Sequence, residues 1–351
     1  MKTIDLRSDT VTLPTDEMID AIVAAHKAGR FGDDVSGEDQ VVNELQEKAA
    51  KILGKEAALL VTSGTQGNLV SLFAQTKRGE EVVVEELSHS FVFEGGAMAS
   101  FGGLYPMPVK GVKGYITPET LRDAIKPDDP HYARTSMVVV ENTHNYAGGT
   151  VIRPEQVSAL ARMAHEHGLK VHCDGARLFN AAVALDIPAK DLVKDVDSVM
   201  ISLSKGLSAP VGSLVAGSEE FIHEAHRTRK KMGGGMRQAG IIAAPGIIAL
   251  EKMVSRLKED HANARLLHEK LSKIPRIVVE SPPETNILFI RLDKLGIDAE
   301  KFADELKKRG VLVYGEYGSR IRFVTHRMVS REDMIEAAQA VEDTAKSFQM
   351  R

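Results

Sequence analysis

The chain has 351 residues, of which 43% are hydrophobic and 27% are charged, a profile typical of a globular protein large enough for two domains. Its net charge of -4 gives no electrostatic reason to expect binding to nucleic acid or to a membrane surface. No apolar run approaches the roughly 20 residues that a membrane-spanning helix needs. Cys173 is the single cysteine, which excludes an internal disulfide, and the N-terminus lacks the apolar core of a signal peptide, so we expect a cytoplasmic protein.

The N-terminal part is predicted to contain an arm and two helices. Residues 1–15 have the pattern of an extended arm, and residues 16–27 have that of a helix. A Gly/Asp-rich loop follows at residues 29–40. Helical periodicity returns at residues 41–53 and stops at Gly54, which is a typical C-terminal cap.

The middle of the chain alternates short apolar runs with helical segments. The helices are predicted at residues 66–75 and 157–168, and the strands at residues 57–62, 81–84, 104–107, 136–140, 169–173, 198–201 and 211–216. Continuous apolar strands alternating with helices indicate an α/β fold with a mainly parallel sheet covered on both faces. Such folds bind ligands at the carboxyl ends of their strands, where Thr62, Asn142, Asp174 and Lys205 fall.

The C-terminal part has a different pattern. A long helix is predicted at residues 240–260, continuing through residue 271. An α+β module follows, with strands at 277–279, 287–290, 311–313 and 320–324 and helices at 299–308 and 331–348. We therefore predict a large domain at residues 16–255 and a small C-terminal domain at residues 256–351, which the arm of residues 1–15 joins.

Lys205 is the residue around which a site is predicted. It follows the apolar run 198–201 and precedes a glycine-containing turn. An unpaired ammonium is costly to bury, and lysines in such places shift their pKa and form Schiff bases with carbonyl compounds, pyridoxal phosphate among them. The alternative is a surface lysine just past the end of a strand.

Other residues strengthen the first interpretation. Asp174 also follows an apolar run, and a carboxylate there can pair with the pyridine nitrogen of pyridoxal phosphate. The turn with Gly64 and Thr65 opens a predicted helix, whose amides can hold a phosphate group. His89 offers an imidazole that can stack on the cofactor ring. Taken singly, each residue has an ordinary structural explanation: a helix cap, a tight turn or a core histidine.

Eight segments resemble the L-threonine aldolase family. They are IDLRSDTVT at 4–12, GDDV at 32–35, SGTQGN at 63–68, ENTHN at 141–145, DGAR at 174–177, LSKGL at 203–207, GGGMRQ at 233–238 and RFVTH at 322–326. The resemblance spans essentially the whole chain and is highly specific in combination. It implies fold type I of the pyridoxal phosphate-dependent enzymes (aspartate aminotransferase-like), with a mainly parallel seven-stranded sheet in the large domain.

The resemblance also implies roles for individual residues. Lys205 corresponds to the Schiff-base lysine, Asp174 to the partner of the pyridine nitrogen and His89 to the residue that stacks on the ring. The phosphate is held by Gly64 and Thr65, with Lys231 and Arg237 reaching it from a neighbouring subunit. Ser8, Arg177 and Arg322 correspond to residues that bind the substrate carboxylate, and Arg177 is also expected among the cofactor-binding residues. His131 corresponds to a histidine near the substrate hydroxyl group. No metal is implied.

The implied activity is reversible cleavage of L-threonine or L-allo-threonine to glycine and acetaldehyde through an external aldimine and a quinonoid. His89 and His131 are the two acid–base groups between which the sequence does not choose, acting directly or through water. The alternatives are another pyridoxal phosphate-dependent reaction, β-elimination or transamination, and a non-catalytic protein that binds the cofactor. The expected assembly is a homotetramer, a dimer of dimers with shared active sites.

The chain departs from the family pattern at three positions. The family commonly has tyrosine where this chain has Ser36, and proline where it has Gln40. Tyr146 is bulkier than the resemblance leads us to expect. These differences concern the side-chain pocket of the substrate, and the cofactor site is unaffected.

Overall fold

The strands form three sheets within residues 2–315 and 318–349, which the computed structural model describes. In chain order they are β1 (Ile4–Asp5), β2 (Ala57–Val61), β3 (Glu81–Glu85), β4 (Tyr105–Val109), β5 (Thr135–Glu141), β6 (Lys170–Gly175), β7 (Ser198–Ser202), β8 (Ser213–Gly217), β9 (Val278–Val279), β10 (Ile287–Arg291), β11 (Val311–Leu312), β12 (Tyr314–Gly315) and β13 (Arg320–Val324). Seven of them pair in the order β2-β8-β7-β6-β5-β3-β4, and β8 alone runs antiparallel to its neighbours. The predicted seven-stranded, mainly parallel sheet is thus confirmed.

Helices cover the large sheet and the small ones. They are α1 (Asp16–Lys27), α2 (Gln40–Leu53), α3 (Gly64–Gln75), α4 (His89–Val92), α5 (Ala97–Ser100), α6 (Pro118–Ala124), α7 (Pro154–Glu166), α8 (Leu178–Leu185), α9 (Ala189–Val193), α10 (Glu219–Lys231), α11 (Gly240–Ile248), α12 (Leu257–Leu271), α13 (Ala299–Lys308) and α14 (Arg331–Gln349). Gly54 ends α2 in the left-handed conformation, with φ of 63°, as its sequence position predicts.

Asp39 shows how one side chain organises the loop before α2. Its Oδ1 accepts the N–H groups of Val41 and Val42 at 3.0 and 3.1 Å, which caps the helix. Its Oδ2 accepts the N–H groups of Gly32 and Gly240 at 3.2 and 2.8 Å. The Gly/Asp-rich loop is therefore fixed to the start of α11 by a single buried carboxylate.

The continuous helix predicted from residue 240 to residue 271 is wrong. The structure divides this stretch into α11, a π-helical turn at Ala249–Met253 and α12. Pro245 lies inside α11 and supplies no N–H to the helix. The π turn then inserts a wider turn before the chain continues as α12. Apolar periodicity runs through all three segments, so the pattern alone does not reveal the interruptions.

The described residues form two main hydrophobic cores. The larger packs the helices against the seven-stranded sheet and includes Leu45, Val171 and Leu203. The second lies around β10 and β13 and includes Ile4 and Leu6 of the N-terminal arm. β1 pairs in parallel with β11, and β12, β13, β10 and β9 form an antiparallel sheet. The domain bounds given above remain a prediction.

Candidate active site

The carboxyl ends of β2, β5, β6 and β7 meet at one edge of the large sheet, where such folds bind ligands. Glu141 ends β5 and stands in register beside Asp174 of β6. Thr62 directly follows β2, and Lys205 lies in the turn after β7. The topology therefore carries polar side chains from four separate segments to the same edge.

A cavity of about 670 Å³ opens at this edge. Five of the predicted site residues line it: Ser8, His89, Arg177, Lys205 and Arg322. They come from the N-terminal arm, from the loops of the large sheet and from β13 of the small sheet. The walls of the cavity thus come from both the large sheet and the small sheet, together with the N-terminal arm.

The hairpin between β7 and β8 presents Lys205. The N–H of Leu203 donates to the carbonyl of Gly212 at 3.1 Å and closes the hairpin. The hydroxyl of Thr12 donates to the carbonyl of Lys205 at 2.8 Å, which ties the hairpin to the arm. Burial, and after it the nearby Arg177 guanidinium, lowers the pKa of Lys205. The neutral amine, which attacks carbonyl carbons, is therefore favoured.

A chain of hydrogen bonds inside the protein holds Asp174. Asn68 Nδ2 donates to Asp174 Oδ2 at 2.8 Å, and the N–H of Ala176 donates to Oδ1 at 3.1 Å. The Oδ1 of Asn68 lies 3.1 Å from His172 Nε2, and His172 Nδ1 lies 2.9 Å from the Ser198 hydroxyl. Burial lowers the pKa of His172 to about 4, so the ring is neutral near pH 7. This neutral chain orients the Asp174 carboxylate without neutralising it.

Two guanidinium groups enter the cavity, and each is held by another residue. Arg177 donates from Nε and Nη2 to the two carboxylate oxygens of Asp9 at 2.8 and 2.7 Å. Burial raises the pKa of Asp9, but Arg177 outweighs that effect and leaves the pKa well below its usual range. Arg322 donates from Nη1 to Asn145 Oδ1 at 3.0 Å. Their planes are therefore set before any substrate arrives.

His89 is fixed through its backbone and its ring. It begins α4, and its backbone N–H donates to Glu141 Oε2 at 2.6 Å. Its Nδ1 lies 3.0 Å from Glu94 Oε1. Burial lowers the pKa of His89, but the hydrogen bond with Glu94 and the charge of Asp174 outweigh burial, and the pKa is raised.

Glu141 connects two walls of the cavity. Besides the N–H of His89, its carboxylate accepts the N–H of Asn145 at 2.8 Å. His144, which lies between Glu141 and Asn145 in sequence, is buried, and its Nε2 lies 3.0 Å from Glu85 and 3.9 Å from Glu141. One carboxylate thus fixes both the histidine turn and the residue that orients Arg322.

The predicted phosphate turn forms the start of α3. Ser63 caps this helix, because its hydroxyl accepts the N–H of Gln66 at 3.1 Å. Gly64 and Thr65 occupy its first two positions, where backbone amides point outward and favour an anion. Neither residue lines the cavity, and both lie beside it at the same sheet edge because α3 follows β2.

The structure does not bring His131 to the cavity of its own chain, and its predicted place near the substrate hydroxyl group stays a prediction. His131 precedes β5, whereas the site lies beyond the carboxyl end of that strand. Seven strand residues span roughly 20 Å. The side chain is 86% exposed, and its Nδ1 lies 2.7 Å from Asp129.

Lys231 and Arg237 also lie outside this cavity. Lys231 ends α10 and lines a different cavity, of about 600 Å³, with Phe73 and Phe101. Arg237 is 63% exposed and pairs with Asp33 at 2.7 Å. Neither cation reaches the anion turn of its own chain through a contact in the described residues.

The three departures from the family pattern lie in two places. Ser36 lies in the loop of Asp33 and Gln40 begins α2; both are exposed and neither lines the cavity. Tyr146 lies with its ring centroid 5.8 Å from that of Phe93, a cavity residue. The tyrosine therefore supports an aromatic wall of the cavity.

One cluster within residues 2–315 and 318–349 has spacing suited to a metal ion. The ligand atoms of His89, Glu94 and Asp174 lie within 4.8 Å of one another. Asn68 already donates hydrogen bonds to both carboxylates. The expectation of a site without metal remains a prediction.

Sequence reasoning missed the residues that hold the predicted ones. Asp9, Asn68, Glu141 and Asn145 lie inside the quoted motifs, so their presence there was the available signal. Glu94 lies outside every quoted motif. Its only signal is a carboxylate shortly after His89 and before two glycines.

No helix in the described part of the chain is both long and apolar enough to cross a membrane.

The family described as beta-eliminating lyase matches residues 5–295. The chain is 44% identical over 336 residues to the low specificity L-threonine aldolase of Escherichia coli (strain K12), covering 95% of this chain and 97% of that relative. It is 42% identical over 342 residues to low-specificity L-threonine aldolase 1 of Arabidopsis thaliana, covering 95% and 94%.

Solved structures share the fold. A threonine aldolase of Leishmania major superposes with a TM-score of 0.83 at 18% identity, covering 97% of this chain and 99% of that one. A putative L-allo-threonine aldolase of Listeria monocytogenes superposes with a TM-score of 0.77 at 21% identity, covering 98% and 97%. The fold is therefore fold type I of the pyridoxal phosphate-dependent enzymes, and the chain belongs to the beta-eliminating lyase family, among the low-specificity L-threonine aldolases.

Proposed function

We propose that this protein is a carbon–carbon lyase that cleaves L-threonine and L-allo-threonine reversibly to glycine and acetaldehyde, using pyridoxal phosphate. One observation carries the proposal: a single cavity gathers Lys205, His89 and the guanidinium groups of Arg177 and Arg322. A nucleophilic amine, an acid–base group and a carboxylate clamp are the parts that this reaction needs. The relatives that share 42 and 44% of their sequence with this chain carry the same activity in their names.

The residues present fit pyridoxal phosphate. Lys205, with its lowered pKa, is the proposed point of covalent attachment. Asp174 is 1% exposed and keeps a carboxylate for the ring nitrogen, while Gly64 and Thr65 offer helix amides to the phosphate. The cofactor, when bound, supplies an electron sink for the electrons of the Cα–Cβ bond.

The protein's own part is to bind and orient the substrate. Arg322 and Arg177 offer planar donors to the amino-acid carboxylate, and Ser8 lies beside them in the cavity wall. Fixing the carboxylate fixes the direction of the Cα–Cβ bond, which must face the electron sink. His89 is the proposed group that takes the β-hydroxyl proton, because His131 of the same chain lies beyond the other end of β5.

Acetaldehyde release tests the proposal. The purified protein with added pyridoxal phosphate should release acetaldehyde and an equal amount of glycine from L-threonine or L-allo-threonine. A Lys205→Ala variant is the control for background reaction with free cofactor. Release equal to that of the control, from both substrates, would contradict the proposal.

β-Elimination is the second candidate, because the matching family is described as beta-eliminating lyase. Elimination from threonine yields 2-oxobutanoate and ammonia, whereas aldol cleavage yields glycine and acetaldehyde. Product analysis of one reaction mixture therefore separates the two activities. Cofactor absorbance with no product from any amino acid would instead favour a non-catalytic protein.

The active sites are proposed to be shared between subunits in a dimer of dimers. Lys231 and Arg237 lie outside their own cavity, and Arg237 projects into solvent from a loop with three consecutive glycines. We propose that both contact the cofactor phosphate of a neighbouring subunit.

A cytoplasmic location is also proposed, because the lone Cys173 is typical of a protein in a reducing compartment. Cell fractionation tests this location.

Subunit mixing tests the shared site. Lys205→Ala and Arg237→Ala are prepared separately and then exchanged. In a two-fold dimer with shared sites, each mixed dimer has one site with both native residues, so activity returns. If Arg237 serves its own subunit, every site stays defective and activity stays low.

A further inference from the structure

Glu94 is a buried carboxylate that lies beside His89. It is 5% exposed and follows the short helix α4. Gly95 and Gly96 come next, with φ of 62° and 67°, and consecutive positive values of φ are accessible mainly to glycine. The chain therefore turns sharply after Glu94, and the carboxylate stays next to the histidine that begins the helix.

Both hydrogen-bonding neighbours of Glu94 reach the same oxygen. Oε1 lies 3.0 Å from His89 Nδ1 and accepts from Asn68 Nδ2 at 2.8 Å. The other oxygen, Oε2, is buried and has no partner in the described residues. The hydrogen-bonding capacity of this carboxylate is thus directed at His89 and Asn68.

The position of the hydrogen between Glu94 and His89 follows from basicity. An imidazole, with an ordinary pKa near 6.5, is a stronger base than a carboxylate, with one near 4.3. The shared hydrogen therefore resides on Nδ1, and Oε1 accepts it. Above its raised pKa, His89 is neutral and carries only this one ring N–H, so Nε2 then has a free lone pair. His89 lines the cavity together with Lys205, so the ring that carries this lone pair borders the reaction space.

We propose that Glu94 is a positioning residue for aldol cleavage: it holds Nδ1–H of His89 and so keeps Nε2 as the atom that takes the β-hydroxyl proton. The proposal rests on the proposed function, which requires such a base. In the step, the O–H proton moves to Nε2 and the oxygen forms the aldehyde C=O bond. The cofactor, when bound, would supply the sink for the electrons of the broken Cα–Cβ bond, and the proton taken by Nε2 balances the proton that Cα gains in glycine.

Burial is the largest effect on the pKa of His89 and lowers it, and the hydrogen bond with Glu94 is the next largest and raises it. Asp174, Lys205, Glu94 and Glu141 face His89 from the neighbouring strand ends and turns. Asp174 and Glu94 raise its pKa, whereas Lys205 lowers it. Removing the charge of Glu94 should therefore lower the pKa of His89. Removing its acceptor oxygen as well should also abolish the preference for the Nδ1–H tautomer.

Three variants separate these effects. Glu94→Gln keeps an acceptor oxygen and removes the charge, whereas Glu94→Leu removes both. Glu86→Leu is the matched control, because Glu86 is an exposed glutamate on the same segment. The holoprotein is labelled with ¹⁵N in its histidine rings, and the His89 signals are assigned by difference with His89→Asn. Tautomer, His89 pKa, kcat and KM are then measured for each variant.

The expected result is an Nδ1–H tautomer for His89 in the unmodified protein and in Glu94→Gln. In Glu94→Leu the preference is lost and kcat for threonine falls about tenfold to thousandfold, less than the roughly 10²–10⁴-fold contribution of an acid–base group, because His89 itself remains. KM changes little, since Arg322 and Asn145 are untouched. Glu94→Gln should recover most of kcat and move the acidic limb of its pH profile to lower pH.

Two results would overturn the inference. One is an Nε2–H tautomer in the unmodified holoprotein, a measurement that needs no variant to fold. The other is a kcat for Glu94→Leu equal to that of the Glu86→Leu control. The tautomer of His89 is measured without substrate, so this result does not depend on activity. If the protein failed to cleave threonine, the proposed function would be contradicted, but the tautomer would still test the role of Glu94.

Discussion

The contact between Asp9 and Arg177 allows a quantitative prediction about the arm. Asp9 is fully buried, Arg177 is 7% exposed, and two hydrogen bonds of 2.7 and 2.8 Å join them. In Asp9→Asn the shape is kept, but an amide group with its own N–H donors replaces one carboxylate oxygen. Arg177 then remains buried without the carboxylate that pairs with it.

Removing one partner of a buried ion pair costs about 3–5 kcal/mol, because the remaining charge stays out of water. The pair Asp5–Arg7 on the same arm provides the comparison. It is also two-pronged, with bonds of 2.9 and 2.6 Å, but its side chains are 23% and 37% exposed. Exposed pairs contribute about 0–1 kcal/mol, so Asp5→Asn should cost far less.

The assay is equilibrium unfolding in urea at one protein concentration, with threonine kinetics measured in parallel. Asp9→Asn should lower the free energy of unfolding by about 3 kcal/mol and raise KM, because Arg177 loses its fixed plane. Combining it with Arg177→Gln removes the remaining buried charge, so the double variant should be less destabilised than the sum of the two single ones. Equal destabilisation by Asp9→Asn and Asp5→Asn would refute the reasoning.

Four other outcomes are expected. Borohydride reduction followed by peptide mapping should place the cofactor on Lys205, and a label on another lysine would exclude that assignment. Arg322→Ala should raise KM for threonine about tenfold to hundredfold, the value of a charge-assisted hydrogen bond, whereas the exposed Arg291→Ala should not. The pKa of His172 is about 4 in the folded protein, against an ordinary value of 6.5, so the unfolded chain binds more protons between these pH values. The free energy of unfolding should therefore fall by about 3 kcal/mol as pH drops through this window, and by less in His172→Gln. Iodoacetamide should leave Cys173 unmodified until the protein unfolds, because burial raises the pKa of its thiol.

The strands of the large sheet could be predicted because they are buried on both faces. β3 and β7 contain continuous apolar runs, and every residue of each is buried. Their exact ends could not be predicted in the same way, since a cap decides them: Ser63 starts α3 at Gly64, two residues before the apolar pattern suggests. The prediction of a continuous helix around Pro245 was wrong for a similar reason, because a break in the backbone hydrogen bonds leaves the hydrophobic periodicity of the sequence intact.

The site could be predicted only in part. Lys205 and Asp174 follow buried strands directly, so their edge of the sheet follows from the fold class. Asn68 contacts Glu94 and Asp174 across 26 and 106 residues of sequence, and no local pattern encodes such pairs. The resemblance assigns His131 a role, but it does not say at which edge of the sheet the residue lies. Only the structure shows that His131 precedes the amino end of β5, away from the cavity of its own chain.

The hydrogen-bond chain behind Asp174 has a direction. Gln75 donates to the Ser198 hydroxyl at 2.8 Å, Ser198 to His172, and His172 to Asn68, which donates to Asp174. An amide in the middle of such a chain cannot release one proton and accept another at neutral pH, so the chain does not conduct protons. The chain therefore isolates the Asp174 carboxylate: it fixes the orientation of this group and offers no route through Asn68 by which a proton could move to the protein interior.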